Sequence, residues 1–194
     1  MRHARTRTVF SHPFPHFIRC LAIAVSCALI FGAAQPASAA ETKNKLQIAV
    51  FDFELQDASH EGEIDGERPD QIARLRLVSD ELRQLMGKSD RFQVIDIEPA
   101  RAIVAEKGPL IYCNGCDREI ARDIGADLAL TGLVYKVSNL ILEIHIHVRD
   151  VESGKIIAKM ASSIRGNTDE SWLHGIRWMF RNRVMKADLE AARQ

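Results

Sequence analysis

The chain is 194 residues long, with 26 Lys and Arg against 26 Asp and Glu and a formal net charge of zero. That length suits one domain and leaves little room for a second. There is no basic excess of the kind a nucleic-acid surface requires.

The first segment reads as a targeting signal. Met1 to Arg19 carries Arg2, Arg5, Arg7 and Arg19 and no acid, and Cys20 to Ala34 is apolar. The small residues Ala37-Ser38-Ala39 follow. A basic region, a short apolar run and an A-x-A site make a cleavable signal peptide over residues 1–39. The run is shorter than the roughly 20 residues of a spanning helix, so no stable membrane span is expected after cleavage. No Cys follows the site, so no lipid anchor is expected. Removing four arginines and no acid leaves 22 basic against 26 acidic residues. Only Cys113 and Cys116 remain, in a compartment where disulfides persist.

Residues 40–194 are expected to form a single α/β domain. Leu46 to Phe53 (LQIAVFDF) is nearly continuously apolar, as in a strand covered on both faces. Residues 54–68, with six acids, read as an exposed loop without the residue order of a calcium loop. Pro69 opens a helix on which Ile72, Leu75, Val78, Leu82, Leu85 and Met86 recur at helical spacing, stopped by Gly87. Phe92 to Ile97 is a strand, and Pro99 opens a short helix through Ala105. GPLIYCNGC is an irregular connection, Asp117 to Ile124 a short helix, and Asp127 to Val137 a strand.

The clearest pattern comes next. Leu140, Leu142, Ile144, Ile146 and Val148 alternate with Ile141, Glu143, His145, His147 and Arg149, which predicts a strand with one buried and one wet face. Ile156 to Ile164 follows as its hairpin partner. Asn167 with Glu170 has the spacing of a capping box for a terminal helix of about twenty residues. The fold class is therefore α/β, a mixed sheet of about five strands with flanking helices.

Three groups of residues carry potential chemistry. Cys113-Asn114-Gly115-Cys116 reads either as a disulfide stapling a surface loop or as a redox pair at a helix start. The disulfide is favoured, because a thioredoxin-type site needs a Pro from a later segment and the domain's Pro residues all precede Cys113. His145 and His147 share a strand face, but two ligands beside Arg149 make only a weak metal site, and a solvated polar face is favoured. On the terminal helix Trp172, Leu173, Ile176, Met179, Phe180 and Val184 project to one side at 100° per residue. Trp178, Met185 and Leu189 project to the other, with Arg177 and Arg181 between, which suggests an interaction stripe. No phosphate-binding or nucleophile-elbow motif occurs. Neither a catalytic residue nor a cofactor is expected.

The phrases IAVFDFEL, FQVID, GADLALTGLV and VRDVESGKIIA, followed by an amphipathic helix, resemble the amino-terminal domain of TolB. Related envelope modules of the CsgG and penicillin-binding-protein-activator type share this plan. CNGC, GAD, VSNLIL and RGNTDESW also resemble an uncharacterised family of exported proteobacterial proteins. The propeller that follows this domain in TolB is not among the 194 residues. The resemblance implies a periplasmic module that contacts an envelope protein or itself, not a reaction. A thiol–disulfide redox protein and a metal-binding protein are the alternatives.

Overall fold

The computed structural model describes residues 44–194; the signal-peptide expectation lies outside them. Six strands form one sheet: β1 (Leu46–Val50), β2 (Glu54–Asp57), β3 (Phe92–Ile95), β4 (Leu128–Lys136), β5 (Ile141–Asp150) and β6 (Ile156–Arg165). The helices are α1 (His60–Asp65), α2 (Pro69–Gly87), α3 (Arg101–Lys107), α4 (Cys116–Asp123) and α5 (Asp169–Met179). The main strand order is β3-β1-β4-β5-β6, with β2 also paired to β4. Helical crossovers make β1 parallel to β3 and β4, and short turns make β4, β5 and β6 an antiparallel meander. No described helix is long and apolar enough to cross a membrane.

The acidic stretch after β1 is not the loop its composition suggests. β2 resumes the path of β1 along β4, since Val50 sits opposite Leu130 and Glu54 opposite Leu133. Four steps on one strand match three on the other, so the chain bulges at residues 51–53. Gly132 makes that bulge possible, because a Cβ there would lie 2.5 Å from the Phe53 ring. Ser59 then caps α1, accepting a hydrogen bond from the Gly62 amide at 3.1 Å.

Two cores lie on opposite faces of the sheet. On one face, α2 and α5 bury Leu75, Val78, Leu82, Trp172, Ile176 and Met179 against Ile48, Leu130, Leu142, Ile144, Ile146 and Val148. The alternation of β5 therefore holds in the expected register from Leu142 onward. Leu140 is the exception: it lies in the β4–β5 turn and is 73% exposed. Gly175 lets α5 sit close to the sheet, since a Cβ there would collide with Ile164 and approach Ile144 to 3.0 Å. The smaller core holds Ala49, Phe51, Ile97, Ile120, Ala129 and Val151 under α3 and α4.

The chain's last segment departs from the even helix expected. The capping pair is Thr168 with Ser171, not Asn167 with Glu170; Thr168 Oγ1 accepts from the Ser171 amide at 3.2 Å. Asn167 instead accepts the Trp172 indole N–H at 3.0 Å. After Met179 the backbone widens into a π turn over Phe180–Val184, where the Met185 amide bonds to the Phe180 carbonyl five residues back.

Candidate functional site

α3 and α4 cover only part of their face of the sheet. The remainder is shared by Gln56 on β2, Leu133 and Tyr135 on β4, and Glu143, His145 and His147 on β5, with Ile111 and Tyr112 at its border. Cross-strand register explains the grouping: Gln56 sits opposite Tyr135, Tyr135 opposite Glu143, and Leu133 opposite His145. Together they line an open cleft of about 350 Å³.

The 108–115 connection is held beside this cleft by Glu54. Its carboxylate accepts the Leu110 amide at 2.6 Å and the Ile111 amide at 3.3 Å. Burial raises the Glu54 pKa, and these two donors only partly oppose the shift. The Tyr112 hydroxyl donates to Gln56 Oε1, yet Tyr112 stays 65% exposed. The polar edge of the cleft is His145 Nε2 at 3.1 Å from Glu143 Oε2.

His147 has its pKa lowered, first by burial and then by the positive charges of Lys159, His145 and Arg149; Asp117 opposes the shift. The unfolded ring takes a proton near pH 6.5, whereas the folded ring resists it. Stability should therefore fall as pH drops below 6.5 and level off once the folded ring also titrates. His147→Asn is expected to flatten that slope. Urea melts of both proteins at about pH 7.5 and about pH 5.5 test it; an unchanged slope would remove His147 as its source.

Cys113 and Cys116 are joined by a disulfide, with their Cα atoms 5.7 Å apart. Cys116 is the first residue of α4, so the bridge ties the 108–115 connection to that helix. The next residue, Asp117, is buried; its Oδ2 accepts from Arg149 Nε at 2.8 Å, while its Oδ1 has no hydrogen-bond partner. Arg149 also donates to the Gly154 carbonyl at 2.9 Å, so α4 and the β5–β6 turn are locked together.

His145 and His147 do share one face, as the alternation requires. Among the described residues, however, no three His, Cys, Asp or Glu side chains converge to hold a metal.

The stripe expected on the terminal helix is not a single surface. Leu189 lies beyond the helix and is 1% exposed, part of the larger core. Trp178 is half-buried against that core, with the Arg183 guanidinium 5.6 Å from its ring. Met185 follows the π turn and is partly exposed. Arg177 Nε pairs with Glu81 on α2 at 2.7 Å, and Arg181 is exposed. A projection at 100° per residue fails because the i→i+5 turn changes the advance, and because the chain folds back before residue 189.

Two buried polar features, Lys136 and Gln71, carry no mark in the sequence. Lys136, at the end of β4, is 0% exposed; its Nζ lies 2.8 Å from Asp57 Oδ2 and 3.1 Å from Glu61 Oε2. Six of the eight residues from Lys136 to Glu143 are uncharged, and nothing in that run marks the lysine as buried. Gln71, on α2, buries both atoms of its side-chain amide without a partner.

Several solved structures are similar to this chain at low identity. The C-terminal domain of LpoB from Salmonella enterica is 14% identical, with 62% of this chain and 82% of that one covered and a TM-score of 0.45. Lipoprotein GNA1162 from Neisseria meningitidis is 13% identical over 73% of this chain and 98% of that one, also at 0.45. TolB from Acinetobacter baumannii is 12% identical over 74% of this chain but only 28% of that one, at 0.41. No curated protein matches the sequence. Residues 46–184, from the first residue of β1 to the last of the π turn, match one family over most of the chain, and the protein belongs to that family, described as Protein of unknown function (DUF2380).

Proposed function

We propose that this chain is an exported envelope protein that acts by contact with another protein, through the sheet face around Tyr112, Tyr135 and His145. The observation that carries the proposal is the half-covered face itself. A mixed sheet with helices on both sides normally closes both, whereas here two tyrosines and two histidines meet solvent beside a loop fixed by Glu54 and a disulfide. Tyrosine offers large contact area at small entropic cost, which suits it to protein interfaces. The basic and apolar start of the chain, with its Ala37-Ser38-Ala39 site, supports export. The resemblance to TolB-type envelope modules supports the same compartment.

A photo-crosslinking amino acid at position 112, expressed in the native cell, tests the contact. Crosslinking to a discrete partner is expected from 112, and none from a control at the exposed Glu106 on α3. Tyr135→Ala should weaken the 112 crosslink several-fold. Equal labelling from both positions would overturn the contact. Amino-terminal sequencing of the envelope fraction should start at Ala40; an intact Met1 chain confined to the cytoplasm would overturn the export.

A further inference from the structure

The outer edge of β6 carries backbone hydrogen-bonding groups that no other described strand uses. β6 ends the order β3-β1-β4-β5-β6 and pairs only on its β5 side. The Gly166 amide bonds to the Leu140 carbonyl at 3.2 Å. The alternation of an antiparallel ladder then turns the amides and carbonyls of Ala158, Met160, Ser162 and Ile164 toward β5. Those of Lys159, Ala161 and Ser163 face the opposite way. The strand is ten residues long, holds no Pro or Gly, and is irregular only where it faces Val148 and Arg149. An edge of this kind is a template for another strand.

Alongside that edge runs a groove of about 600 Å³, bounded by residues 157–161 of β6 and by Asn182, Arg183 and Lys186 after α5. Lys159 contributes backbone to its wall, its side chain lying on the His147 face; among the described residues the charged side chains on the α5 side are Arg183 and Lys186, with no carboxylate. Arg183 stacks on the Trp178 ring, and among the described residues Lys186 Nζ reaches only Asn182 Oδ1 at 3.4 Å.

We propose that this edge takes up an extended acidic segment of a partner protein as an added strand. The segment's backbone pairs with Lys159, Ala161 and Ser163, and its carboxylates, all on the α5 side of the sheet, with Arg183 and Lys186. A second copy of β6 fits poorly, because it brings Lys159 and Arg165 and no carboxylate to a groove already positive. The site is distinct from the Tyr112 face and does not depend on it.

The test uses fluorescence anisotropy of a labelled ten-residue peptide of alternating valine and glutamate, titrated with the purified chain. Saturable binding is expected. A peptide with lysine for glutamate should bind at least tenfold more weakly, as should an acidic peptide with every second amide N-methylated. Arg183→Glu with Lys186→Glu should cost at least tenfold. Ala161→Pro should do the same with an unchanged melting curve, because it removes an outward N–H and leaves the β5 ladder intact. If that variant fails to fold, the N-methylated peptide asks the same question of the intact protein. Absence of binding, equal binding of acidic and basic peptides, or full binding of the N-methylated peptide would each overturn the proposal. So would a dimer that excludes the peptide and dissociates in Ala161→Pro, since the occupant would then be a second copy.

Discussion

Trp172→Ala is expected to lower stability by about 3–5 kcal/mol, the range for a large aromatic removed from a packed interior. Trp172 is fully buried in the larger core, near the start of α5, where that helix meets the sheet. Its indole N–H is spent on Asn167, which also donates to Asn139 at 3.0 Å and so links the start of α5 to the β4–β5 turn. The alanine variant loses the transfer energy of the ring, leaves a cavity and removes the shorter of two donors to Asn167 Oδ1, leaving Arg74 at 3.4 Å. Trp172→Phe separates these effects: it keeps most of the packing and removes the hydrogen bond, for about 0.5–1.5 kcal/mol plus a smaller volume loss. Urea melts of the three proteins measure the differences. An alanine variant within 1 kcal/mol of the parent would mean that the site collapses around the missing ring, and that α5 is not anchored there.

Asp57→Asn is expected to cost about 3 kcal/mol, at the lower end for breaking a buried ion pair because Glu61 still faces the ammonium. Asparagine can keep the acceptor that Asp57 Oδ1 offers to the Ser59 amide at 2.9 Å, so charge is the main loss. The penalty is that of Lys136 held out of water with half its partners. Lys136→Met in the Asp57→Asn background should therefore recover most of it, since a buried pair is often replaced by apolar volume at little cost. Failure of that rescue would show that the penalty came from the Asp57 turn and not from the lysine.

The same pair sets a pH dependence. Burial acts to raise the Asp57 pKa, but the hydrogen bonds from Lys136 and Ser59 and the Lys136 charge outweigh it, and the net shift is downward from 3.8. A depressed carboxylate stabilises the fold fully above its unfolded pKa, and that contribution is lost as pH falls through the folded value. Asp57→Asn should consequently show a shallower loss of stability below about pH 4 than the parent.

What the sequence determined by itself were the features written in local periodicity. The two-residue alternation from Leu142 to Val148 marked β5 and its faces, because only that period keeps one side of a strand dry. The helical spacing from Leu75 to Met86 marked α2 and its buried side for the same reason. The adjacency of Cys113 and Cys116 brought the two thiols within bridging reach whatever the rest of the chain did. Tertiary structure decided everything that depends on a distant partner. Composition made residues 54–68 a loop, yet β4 supplies the ladder that makes β2 a strand, and Lys136 neutralises Asp57 and Glu61 from 79 and 75 positions away. The stripe of Trp178, Met185 and Leu189 assumed an unbroken α-helix, and the π turn at Phe180–Val184 with the return of Leu189 to the core removed it. The open face around Tyr112 and the free edge of β6 were equally hidden, because solvent exposure is a property of what fails to pack on a surface, and no local pattern records an absent neighbour.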